Sequence, residues 1–142
     1  LGHSFPTRRS SDLVKPNIID SYVNDKNEIL EKTVPKTTTV LKRETAEAVK
    51  RHMIAVVNKG TGDAAYIEGM AIGGKTGTTT YANGKKSDGW FVGFFNINGK
   101  NYSMVVYVND IKMNIAGIAD EEGGGTAAPI FKEVVNSLKN IK

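Results

Sequence analysis

Gly73-Gly74-Lys75-Thr76-Gly77-Thr78-Thr79-Thr80 is the stretch on which the fold turns, and two backbone arrangements compete for it. Gly69, Gly74, Lys75 and Thr76 satisfy the phosphate-loop pattern G-x-x-x-x-G-K-[ST]. Such a loop must open into a helix, whose N-terminal N–H groups and dipole hold the phosphates. The same residues also read Lys-Thr-Gly-Thr along a strand. The residues after the lysine separate the two. Gly77 and three threonines disfavour a helix, and Asn83-Gly84 is a hairpin-turn signal. The strand is the favoured reading, with the nucleotide-binding loop as the competitor. A strand running through Thr80 would eliminate the loop.

Outward from this stretch the pattern is regular. Met70–Thr80, Trp90–Ile97 and Tyr102–Asn109 read as three strands, the last two joined by Asn98-Gly99 as an antiparallel hairpin. Upstream, Arg43–Asn58 has helical spacing, with Ala46, Val49, Met53, Val56 and Val57 on one face and Lys50 and Arg51 turned away. Lys59-Gly60-Thr61-Gly62 ends that helix, Gly60 being placed for a left-handed cap. Ile18–Val23 and Glu28–Thr33 read as a hairpin around Asn24-Asp25-Lys26-Asn27, and Val34–Leu41 as an extended connector. Downstream, Ile111–Gly125 is a glycine-rich connection into a closing helix over Thr126–Ile141. Pro129 falls in its first turn, and Ala128, Phe131, Val135 and Leu138 form its apolar stripe. Helix, three antiparallel strands and helix make an α+β domain, an antiparallel sheet flanked by helices.

The remaining composition excludes more than it assigns. The 142 residues carry a net charge of +4 with positives spread along the chain, which speaks against nucleic-acid binding. Without cysteine there is no disulfide or thiolate chemistry. No apolar run approaches the roughly 20 residues that span a bilayer. Leu1–Leu13 shows neither strand nor helix period and lacks the apolar core of a signal peptide. It resembles a translated sequencing adapter and is read as a non-native leader, an ordinary flexible N-terminus being the alternative. Residues 14–142 then form the domain proper.

Chemically, Lys75-Thr76-Gly77-Thr78 is a receptor for an anionic acyl donor. On an edge strand Gly77 removes a side chain and lets a peptide backbone approach and pair alongside. Thr76 and Thr78 offer short hydroxyl donors to a carboxylate. Lys75 supplies a positive charge beside it, and the Thr78 N–H is a candidate to face a developing oxyanion. A nucleophile is missing: no serine begins Ser-x-x-Lys or Ser-x-Asn. His3 and His52 lie far apart and show no metal-ligand spacing. Asp120-Glu121-Glu122 lacks the alternating oxygens of a calcium loop. No metal and no cofactor are expected. Trp90, Phe91, Phe94 and Phe95 are assigned to the hairpin core, a stacking platform being the minor alternative.

Four motifs in register carry a resemblance: Gly60-Thr61-Gly62, Gly74-Lys75-Thr76-Gly77-Thr78, Trp90-Phe91-Val92-Gly93-Phe94 and Gly124–Phe131. Over about Val14–Lys142 the chain resembles the C-terminal part of the transpeptidase domain of penicillin-binding proteins. Lys15-Pro16 before a hairpin and Thr45-Ala46 opening the helix look most like the class B members. The resemblance implies a bacterial serine D,D-transpeptidase that cross-links peptidoglycan stem peptides and is acylated by β-lactams. Its parent would be membrane-anchored and face outward from the cell membrane, with cell-wall synthesis proteins as partners. It further implies that Lys75 assists proton transfer and orients the anionic substrate. Thr76 and Thr78 would bind the substrate carboxylate, the Thr78 N–H would join the oxyanion hole, and Gly77 would keep the groove open. The family's Ser-x-x-Lys and Ser-x-Asn motifs are absent, so the fold is expected to be incomplete, catalytically dead alone and marginally stable. A penicillin-sensing receptor domain or β-lactamase relative shares much of this layout and stays open as the second reading.

Overall fold

A computed structural model describes residues 12–81, 86–112 and 123–140. The predicted Asn83-Gly84 turn, His3 and Asp120-Glu121-Glu122 lie outside them. The chain divides into two compact units, Leu1–Val49 and Lys50–Lys142, each with its own architecture.

The first unit consists of two small antiparallel ladders. β2 (Ser21–Val23) pairs with β3 (Ile29–Lys32). The predicted turn between them is held by Asn24, whose side-chain oxygen accepts the N–H groups of Lys26 and Glu28 at 2.9 and 3.0 Å. β1 (Asp12–Val14) pairs with β4 (Thr37–Thr39). The threonine run of the expected connector is therefore a strand, and its ladder reaches back to Asp12 and Leu13. A partner 25 residues or so away in sequence leaves no local signal. Among the described residues of this unit, Ala46 is the buried hydrophobic one.

α1 (Arg43–Lys59) matches the predicted helix. Val57 is buried within the second unit, but Val49 is half exposed, so the apolar face is narrower than its spacing promised. Gly60 does not take the expected left-handed cap: among the described glycines only Gly69 and Gly99 have positive φ. Instead the N–H groups of both Gly60 and Gly62 donate to the Val56 carbonyl, each at 3.1 Å. A Cβ on Gly60 would sit 3.0 Å from the Val56 Cα and carbonyl oxygen. Glycine is needed there for close approach rather than for its φ.

A 3₁₀ turn at Asp63–Ala65 leads to β5 (Gly73–Tyr81), followed by β6 (Lys86–Ile97) and β7 (Lys100–Lys112). They form one antiparallel sheet in the order β5-β6-β7. β5 starts three residues later than the sequence implied, because Met70–Ile72 close a turn in which the Met70 N–H donates to Ile67 and the Ile72 N–H to Met70. The two-residue turn Asn98-Gly99 has φ of 52° and 78°, the positive values that a primed hairpin turn requires.

α2 (Ala127–Lys139) lies on one face of the sheet. Its Ala128, Phe131 and Val135 are buried and Leu138 packs at the margin, as the stripe predicted. Phe131 meets Phe91 and Phe95 edge to face, with ring centroids 4.8 and 5.6 Å apart. Gly74 and Gly93 admit these rings, since a Cβ on Gly74 would fall 2.2 Å from Phe91 Cζ and one on Gly93 2.8 Å from Phe131 Cζ. Strand alternation sends Trp90, Val92 and Phe94 to the opposite face. Trp90 is 37% exposed and stacks, tilted, on Tyr107 at 4.1 Å. The hairpin aromatics are thus split: Phe91 and Phe95 are core, Trp90 and Phe94 are not.

Candidate functional site

β5 is an edge strand running unbroken from Gly73 to Tyr81 in register with β6, with Lys75 opposite Val92, Thr76 opposite Phe91, Gly77 opposite Trp90 and Thr78 opposite Gly89. This strand rules out the phosphate loop, because the residues after Thr76 continue as strand to Tyr81 and do not open a helix. Alternation places Thr76 and Thr78 on the α2 side of the sheet and Lys75 and Gly77 on the other.

Each of the four candidate residues has a distinct environment. Lys75 is exposed, and its ammonium reaches the carbonyl of Thr76 at 2.5 Å. The Thr76 hydroxyl lies 2.9 Å from that of Thr61, in the turn after α1. The Thr78 hydroxyl accepts the N–H of Gly123 at 3.1 Å. A Cβ on Gly77 would meet, as its nearest atoms, only the Trp90 side chain at 3.4 Å and beyond. That is ordinary contact, so internal packing does not demand glycine at this position as it does at Gly73 and Gly74. Space beside Gly77 is left for something that approaches from outside.

Of the supports of this strand, the sequence marked Gly60-Thr61-Gly62 as a helix end and Gly124 as the start of a motif, and placed Gly123 only in a glycine-rich connection. Gly62 brings the turn against Phe91 and Val56, where a Cβ would lie 3.1 and 3.3 Å away, and so sets Thr61 beside Thr76. Gly123 packs against the backbone of the Gly77–Trp90 pair, and Gly124 against the Thr61 carbonyl. Fifteen and 45 residues separate the two hydrogen-bonded pairs, so no local pattern announces them.

A second polar cluster pins the far end of the strand. The Asp88 carboxylate accepts the Asp110 N–H at 3.0 Å and the hydroxyls of Tyr107 at 3.0 Å and Tyr81 at 3.2 Å. Lys86 pairs with Asp110 at 2.6 Å. The Asp110 N–H, joined by the two tyrosine hydroxyls, holds the Asp88 carboxyl below the usual carboxylate range against partial desolvation. The hydrogen bond to Asp88 raises Tyr107, and desolvation with the Asp88 charge raises Tyr81. The β6–β7 register shifts between Ser87 and Gly89, and Asp110 has a φ of 54°. The cluster ties this irregular segment to β5.

His52 is exposed on α1. Among the described residues no group of three His, Cys, Asp or Glu is placed to hold a metal, and no helix is long and apolar enough to cross a membrane. The concavity lined by Met70, Asn96, Ile97, Asn98 and Lys139 lies at the other hairpin tip and includes none of the candidate residues.

Comparison with known proteins points one way. The family described as "Penicillin binding protein transpeptidase domain" matches residues 10–136. A probable peptidoglycan D,D-transpeptidase PenA of Neisseria flavescens is 36% identical over 113 residues, covering 75% of this chain and 27% of that protein. The stage V sporulation protein D of Bacillus subtilis is 31% identical over 137 residues, covering 87% of this chain and 19% of the relative. The crystal structure of the D,D-transpeptidase domain of a peptidoglycan glycosyltransferase from Eggerthella lenta superposes with a TM-score of 0.70 at 28% identity, over 92% of this chain and 28% of that one. The chain spans about a quarter of the length of PenA and less of the sporulation protein.

Proposed function

This chain belongs to the penicillin-binding protein transpeptidase family, and we propose that it forms the Lys-Thr-Gly side of a serine D,D-transpeptidase site. In this reading the site cross-links peptidoglycan stem peptides and is acylated by β-lactams, on the outer face of a cell membrane to which the whole protein is anchored. The observation that carries it is the unbroken edge strand β5, with Lys75, Gly77 and the two threonine hydroxyls in consecutive register.

Each role derives from the placement of its residue. An acyl peptide pairs along the open edge of β5, where Gly77 leaves room for its backbone. The hydroxyls of Thr76 and Thr78 donate to its terminal carboxylate, which only accepts. Lys75, exposed and with its ammonium on the Thr76 carbonyl, provides the charge that attracts this carboxylate and assists proton transfer to and from the reacting serine. Backbone groups two residues apart on a strand point to the same side. The Thr78 N–H therefore shares the side of the Thr76 carbonyl that Lys75 touches, where it donates to the oxyanion of the tetrahedral intermediate. None of the 142 residues forms Ser-x-x-Lys or Ser-x-Asn. The nucleophile comes from elsewhere in the whole protein, and this chain alone takes no label.

Lys75→Ala in the full-length protein tests the assignment. Labelling by a fluorescent penicillin is expected to slow by about a hundredfold or more, with no change in melting temperature because the side chain is exposed. Labelling at the unsubstituted rate removes Lys75 from the mechanism.

A further inference from the structure

Gly60-Thr61-Gly62, Gly123 and Gly124 have no task in that reading. We propose that Thr61 and the Gly123 amide are positioning groups that hold the hydroxyls of Thr76 and Thr78 with their protons turned toward an incoming carboxylate. This device rests on the proposed function, in which those two hydroxyls bind the substrate carboxylate.

A threonine hydroxyl has one proton and two lone pairs. It serves an ionised carboxylate only as a donor, and a freely rotating hydroxyl must give up its alternatives on binding. The Gly123 N–H, 3.1 Å from the Thr78 oxygen, occupies a lone pair and leaves the proton for another acceptor. The hydroxyls of Thr61 and Thr76 are hydrogen-bonded at 2.9 Å, and either can be the donor. With Thr61 as the donor, the proton of Thr76 is likewise released to the ligand.

Close backbone packing fixes both supports. A Cβ on Gly123 would lie 2.3 Å from the Gly77 carbonyl oxygen and 2.4 Å from that of Trp90. One on Gly124 would lie 2.4 Å from the Thr61 carbonyl oxygen. These partners are main-chain atoms that cannot swing aside. The two glycines therefore bring one stretch of chain against both the strand and Thr61, and the donors reach their targets as a unit. A carboxylate then meets two hydroxyls already set to donate, and the hydrogen bonds it receives are the stronger, charge-assisted kind.

The test is a double-mutant cycle on the full-length protein, read as the rate of acylation by a fluorescent penicillin. Thr61→Val is expected to slow acylation about fivefold to tenfold, chiefly through weaker non-covalent binding in the concentration dependence. Thr61→Ser keeps its hydroxyl and the unsubstituted rate. In a Thr76→Val background, Thr61→Val adds nothing, because its effect passes through Thr76. Thr61→Ala, which introduces no bulk, matches Thr61→Val and guards against a loss of folding. Unsubstituted rates in both Thr61→Val and Thr61→Ala overturn the device, as does a Thr61→Val effect undiminished by Thr76→Val. Unslowed acylation in Thr76→Val alone overturns the carboxylate assignment, and the device with it. That result is distinct from a cycle in which Thr76 matters and Thr61 does not.

Discussion

Both units of this chain are rich in antiparallel pairing, yet they differ in what the strands rest on. In the first, three- and four-residue strands form two-stranded ladders whose apolar side chains stand in the open, Val23 at 50% and Ile29 at 62% exposure. In the second, strands of 9, 12 and 13 residues carry a helix on one face, and Phe91, Phe131, Ile72, Val57 and Val135 are essentially inaccessible. Isolated two-stranded ladders are marginal in water, and independent stability needs at least three strands with an apolar face or a packed helix. The candidate site belongs to the second kind of structure. A hydroxyl held to within hydrogen-bond tolerance needs neighbours whose own rotamers are locked, and among the described residues the buried aromatic cluster of the second unit supplies them.

Substitutions in the two units sharpen this contrast. The largest effect is expected at Phe131, whose ring ties α2 to both Phe91 and Phe95. Phe131→Ala should cost about 3–5 kcal/mol in a denaturant melt, a large share of the roughly 5–15 kcal/mol that holds a domain together. A loss below about 1 kcal/mol, the usual size for a point substitution, would mean the aromatic cluster does not organise the unit.

A smaller effect is expected at Asp88. Its carboxyl is held below the ordinary value of 3.8 by the Asp110 N–H and the tyrosine hydroxyls. A carboxyl depressed in the folded state contributes stability above its unfolded pKa and loses it as pH falls through the folded value. Asp88→Asn should therefore flatten the acid limb of stability against pH. Superimposable limbs for the two proteins would show that the cluster is not coupled to folding.

The smallest effect is expected in the first unit. Ile29→Ala should shift the melt by no more than about 0.5 kcal/mol, as exposed substitutions do. A shift as large as that of Phe131→Ala would break the comparison, by showing that Ile29 is buried in the folded protein in solution.

What is periodic and local was legible in the residues alone. Glycine and β-branched residues after Lys75 made a strand rather than a phosphate loop, and Asn98-Gly99 made the β6–β7 turn. The 3.6-residue spacing of Ala128, Phe131, Val135 and Leu138 marked the buried stripe of α2. Aligned motifs pointed to the family, which the comparisons then showed. Residue type alone identified Lys75, Thr76, Gly77 and Thr78 as a candidate carboxylate receptor. Which residues lie next to which was set by the folding of distant segments together. That folding split the hairpin aromatics between two faces, paired the threonine run of β4 with β1, and gave Gly60 close approach in place of a left-handed cap. It also set Thr61 against Thr76 and the Gly123 N–H against Thr78, and gathered Tyr81, Tyr107 and the Asp110 N–H around Asp88. One cause underlies all of these. Side-chain periodicity arises from the backbone geometry of a few neighbouring residues, whereas a hydroxyl's partner depends on how glycines let distant backbones close to within contact.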